Sequence, residues 1–171
     1  ANTTGNYNTA IGKDCLESST TASENTAMGF NALAANTTGD ANVAIGVYAL
    51  DANTVGDRNV AVGHGALTTY NPSTNEDSYN TAVGYAALTN NSTGNNNTAV
   101  GGLAMDANTT GSYNVALGRT ALDANTTGSY NTAVGVSALG SNTTADENTA
   151  MGYAAGGLIT TGTYNTLIGS E

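Results

Sequence analysis

The sequence predicts an all-β fold, a parallel β-solenoid of ten coils with 17 residues each. Three observations carry the prediction. A five-residue segment, Asn-(Thr/Val)-(Ala/Leu)-(aliphatic or Met)-Gly, recurs ten times. Its asparagines are Asn8, Asn25, Asn42, Asn59, Asn80, Asn97, Asn114, Asn131, Asn148 and Asn165, spaced by 17 except for one step of 21. The segment alternates as a half-buried strand does, and a unit this short cannot hold two packed helices.

Residues 124–140 serve as the type repeat, with columns numbered one to seventeen. Columns three to six (Thr-Thr-Gly-Ser there) read as a turn. Column eight is always Asn, and stacked amides that donate and accept along the rod predict a structural ladder. Columns nine to eleven form the strand, and the invariant Gly at column twelve ends it. The aliphatics of columns nine and eleven, such as Val43 and Ile45, are expected to face inward with the Leu of column sixteen. The column-ten alanines (Ala10, Ala27, Ala44, Ala61, Ala82, Ala99, Ala116, Ala133 and Ala150) then fall on the outer face. Two readings suit such a smooth stripe: a subunit contact, or a tight intrachain fit. One unit cannot bury its own apolar face, so stacking must build the core.

The whole chain, residues 1–171, reads as a single repeat domain with one four-residue loop insertion at 69–72. The phase is intact on both sides. Tyr70, with Asn75, Glu76 and Asp77, forms the least repetitive stretch, where a recognition loop or a neutral insertion is expected. The sequence carries no capping repeat at either end, which suggests a piece of a longer fibre or rods stacked end to end.

Composition narrows the function. Three basic residues stand against 13 acidic ones, a net charge of −10, which argues against nucleic acid and anionic membranes as partners. No apolar run approaches the ~18 residues of a membrane span. Cys15 is the only cysteine and excludes an intrachain disulfide; it occupies an alanine column. His64 is the only histidine, so neither a Ser-His-Asp centre nor a histidine metal cluster can be assembled, and an exposed position is expected for it. Asp51, Asp106 and Asp123 share column seventeen, yet no calcium-binding nonapeptide pattern accompanies them. Glu76-Asp77 and Asp146-Glu147 read as solvated turn charge. No catalytic residue, metal or cofactor is expected, and the chain is expected not to be an enzyme.

Asn42-Val43-Ala44-Ile45-Gly46 resembles the head-domain motif of trimeric autotransporter adhesins, and the fuller repeat at 125–135 is similar to arrays in phage tail-fibre-like proteins. That resemblance spans nearly the whole chain. It implies a left-handed, homotrimeric β-roll on a cell or virion surface, acting as shaft or adhesive head, with a cell-surface or glycan receptor as partner. The repeat is longer than that of the adhesin heads, and no coiled-coil neck or anchor barrel accompanies it. The tyrosines of column seven (Tyr7, Tyr79, Tyr113, Tyr130 and Tyr164) suit either a glycan surface or packing at the strand entrance. Two further readings come from the residues. A Thr face at column three (Thr3, Thr20, Thr37, Thr109, Thr126, Thr143 and Thr160), with Thr again at column four, suggests an ice-binding solenoid. The uncapped ends suggest a self-stacking filament subunit.

Overall fold

The computed structural model describes residues 2–75 and 77–171; Glu76, expected in the loop patch, lies outside them. Ten strands follow in order: β1 (Thr9–Ile11), β2 (Thr26–Met28), β3 (Val43–Ile45), β4 (Val60–Val62), β5 (Thr81–Val83), β6 (Thr98–Val100), β7 (Val115–Leu117), β8 (Thr132–Val134), β9 (Thr149–Met151) and β10 (Thr166–Ile168). They form one sheet in sequence order, every neighbour parallel, and no helix occurs among the described residues. Register is strict. Ala99 of β6 pairs with Ala82 of β5 and Ala116 of β7, so each column becomes a row along the rod.

The rows on the strand are inverted relative to expectation. Ala27, Ala44, Ala61, Ala82, Ala99, Ala116, Ala133 and Ala150 are completely buried inside their own coils; Ala10 is exposed in the first coil. The alanine stripe is therefore a tight intrachain fit and not a subunit contact. Columns nine and eleven face outward, and Met28, Val100 and Leu117 keep about two-fifths of their surface exposed. The reason is volume. The interior already holds the column-sixteen side chains from Leu16 to Leu139, the column-fifteen alanines and buried asparagines, and the space opposite the sheet admits a methyl group and little more.

Sharp corners make so thin a coil possible. Column sixteen is left-handed throughout, with φ of 54° at Leu33 and 50° at Leu139. A leucine there costs about 1–2 kcal/mol, and its burial at about 1.5–3 kcal/mol offsets the cost. Column twelve needs glycine for two reasons. Gly84 has φ +139°, and a Cβ on it would lie 2.5 Å from the carbonyl oxygen of Gly101 in the next coil.

Hydrogen bonds join neighbouring coils on every side. Thr98 N donates to Asn114 O (2.8 Å) at the strand entrance, and Gly101 N to Val83 O (2.8 Å) at its exit. Leu88 N donates to Ala104 O (3.0 Å) at the leucine corner, and Thr109 N to Thr126 O (2.8 Å) across the turn.

The insertion sits later than the sequence spacing suggests. Tyr70 N donates to Leu67 O, and Asn71 N to Ser92 O, the bonds that columns two and three make elsewhere. Thr69, Tyr70 and Asn71 therefore continue the coil, and the four extra residues fall between Asn71 and Ser78. Tyr70 is no loop recognition residue. It is wholly buried in the core, its hydroxyl donating to Asn95 Oδ1 (2.7 Å), in the place where other coils put an asparagine. Asn75 and Asp77 are exposed, and Asp77 pairs with Arg58.

Candidate functional site

Two asparagine rows run inside the rod. In column eight each Oδ1 accepts from the backbone N–H of the next asparagine, as between Asn114 and Asn131 (2.9 Å). From Asn8 to Asn148, except at Asn59 before the insertion, the Nδ2 reaches the turn carbonyl of the following coil, as Asn114 does to Gly128 O (2.9 Å). Side-chain amides also bond to one another, Asn131 Nδ2 to Asn114 Oδ1 at 3.2 Å. From Asn25 to Asn148 these residues are fully buried, so the bonds remove the desolvation cost of a polar row in the core.

The second row, at column two, had a sequence signal, since Asn recurs there at Asn36, Asn53, Asn91, Asn108, Asn125 and Asn142, all buried. Asn108 shows its double duty. Its Nδ2 holds Gly111 O (3.0 Å), closing the turn, and also donates to Asn91 Oδ1 (2.9 Å) in the neighbouring coil. Tyr70 interrupts this row between Asn53 and Asn91.

Threonine appears in two rows with opposite fates. In column three the hydroxyl donates to the carbonyl of the equivalent residue in the next coil: Thr3 to Thr20 (2.8 Å), Thr20 to Thr37 (3.0 Å), Thr109 to Thr126 (2.9 Å), Thr126 to Thr143 (3.0 Å). Thr37 and Thr143 do the same toward Thr54 and Thr160. Six of the seven column-three donors expected to form a binding face are instead turned onto the chain's own backbone, and Thr160 lies exposed in the last coil. In column nine Thr9, Thr26, Thr81, Thr98, Thr132, Thr149 and Thr166 point outward, and none of their hydroxyls has a protein partner among the described residues.

Aromatic and charged groups lie on the corners. Phe30, Tyr48, His64 and Tyr85 form a file with ring centroids 5.4, 6.2 and 5.7 Å apart, and Lys13 Nζ caps it 5.3 Å from the Phe30 centroid. His64 is exposed in that file. Of the column-seven tyrosines, Tyr113 and Tyr130 stack face to face at 4.9 Å, and Tyr79 lies 6.0 Å from the Arg58 guanidinium; all five are at least half exposed. Cys15 is half-buried and its thiol donates to Gly29 O (2.6 Å).

Asp51, Asp106 and Asp123 are half-buried, and burial raises all three carboxyls from the ordinary aspartate value. Asp106 raises Asp123 further by repulsion from the adjacent coil. Asp57 is raised chiefly by burial and also by Asp40. No group of three metal-ligating side chains forms among the described residues.

No family model, curated protein or solved structure matches the chain.

Proposed function

We propose that the chain is a rigid, non-enzymatic rod segment of an extracellular or virion-surface fibre. The supporting observation is the continuity of the ladder. The same backbone and asparagine bonds join successive coils across strand, corner and turn, so each coil is a template for the next. Ten coils at the ~4.8 Å strand spacing make a rod of ~48 Å. Its corners carry stacked aromatics and carboxylates, and among the described residues no acid, base and nucleophile converge.

A spacer should tolerate changes of length in whole coils. Deleting residues 107–140, two complete coils, should give a folded rod shorter by ~10 Å in small-angle scattering. Outside the insertion, deleting a number of residues that is not a multiple of the repeat should unfold it. A globular or expanded particle for the intact chain would overturn the reading.

A further inference from the structure

We infer that the outer face of the sheet binds ice. The face consists of columns nine and eleven, and its chemistry is unlike the rest of the surface. Column nine holds seven threonines and three valines, column eleven only aliphatics and methionine, and the strands carry no charge in a chain of net charge −10.

Strict parallel register sets every row at the ~4.8 Å strand spacing, and the two rows stand ~6.6–6.8 Å apart along the strand. The repeat of the threonine row lies near the shorter lattice repeat of hexagonal ice, and the second row, which carries no oxygen, meets that lattice with apolar groups alone. Thr and Val share a branched Cβ that restricts χ1, so hydroxyls and methyls keep fixed positions. The backbone beneath cannot flex row by row, because each strand from β2 to β9 is bonded to both neighbours and backed by buried alanine.

The hydroxyls decide what covers this face. Those of column three are engaged with backbone carbonyls, whereas those of column nine have no protein partner. A water lattice offers each free hydroxyl both a donor and an acceptor, and its cavities accept the methyl groups. A second copy of the chain is the poorer occupant. It brings the same acidic surface, with three basic residues to set against 13 acidic ones. The strip measures ~48 by ~10 Å, or ~480 Å², below the ~800 Å² per partner of a standard interface. Docking a copy would also desolvate hydroxyls for which that copy supplies no dedicated acceptor.

This inference goes beyond the rod reading, which stands whether or not the face binds ice. The test is thermal hysteresis and ice-crystal shape on the intact chain, beside Thr98→Lys at the centre of the face and Thr127→Lys on the exposed turn. Circular dichroism melts would confirm that both variants fold, and sedimentation velocity would give their mass. The expected result is faceted crystals and measurable hysteresis for the parent and Thr127→Lys, with hysteresis lost in Thr98→Lys. Three results would overturn it: no hysteresis in the parent, equal loss in both variants, or a parent oligomer that Thr98→Lys dissociates, which would make the face a protein contact.

Discussion

Along β6, Thr98, Ala99 and Val100 are consecutive and obey opposite rules. Ala99 is sealed in the coil, between the alanines of the two neighbouring strands, with no surface exposed. Thr98 and Val100 face outward, and Val100 keeps 39% of its surface. The inner side of the sheet is limited by volume and by polar groups that must be paired. The outer side is limited by neither. Substitutions on the two sides should therefore diverge sharply, although they are one residue apart.

The largest effect is expected at the inner asparagine row. Asn114→Ala orphans the buried backbone N–H of Asn131 and leaves the Gly128 carbonyl only the bond from Asn125 Nδ2. With about 1–3 kcal/mol for the unsatisfied N–H and about 0.5–1.5 kcal/mol for the bond lost at Gly128, the urea midpoint should fall by the equivalent of ~1.5–4.5 kcal/mol. Overfilling comes next. Ala99→Leu should cost about 1–3 kcal/mol, and Val100→Leu less than ~0.5 kcal/mol; equal costs would contradict the inverted strand. The two threonine rows give a smaller contrast. Thr126→Val loses a bond to the Thr143 carbonyl and should cost ~1 kcal/mol, whereas Thr98→Val loses no protein bond and should be near neutral.

The smallest effect is electrostatic. Burial raises Asp123, and Asp106 adds to it, so the folded chain holds that proton more tightly than the unfolded one. Stability should then rise as pH falls from neutral through the raised folded pKa, and the gain should be complete below the unfolded value. Asp123→Asn should raise Tm slightly at pH 7 and reduce the slope of Tm against pH. A steeper slope in the variant would contradict the assignment.

The coil number, the period and the strand positions were all legible, because Asn at column eight and Gly at column twelve never vary. The inward face was not, since alternation gives a period but no sign. A cue was present in the repeats themselves. Columns eight and ten hold nearly one residue type each, whereas column eleven ranges over Ile, Met, Val and Leu. A packed interior accepts one volume, and an open surface accepts several. Hydrophobicity pointed the other way, because the space left in so small a coil suits alanine. Tyr70 was misplaced for a similar reason. The repeat spacing counts four extra residues without locating them, and only the bonds of Tyr70 and Asn71 show that the coil continues past them. The column-three threonines looked like a surface array because composition is silent on where a hydroxyl points.

The direction of the intercoil hydrogen bonds has a mechanical consequence. They run along the rod axis, from each coil to the next, and no covalent crosslink joins one coil to another. Tension applied at the two ends would load the coils in series, so a coil at one end would peel while the others remained folded. Each peeled coil would release 17 residues of chain, roughly 55–60 Å of contour, in exchange for ~4.8 Å of rod. Under a steady pull such a rod would lengthen in equal steps, with the step through the insertion at 72–77 longer than the rest.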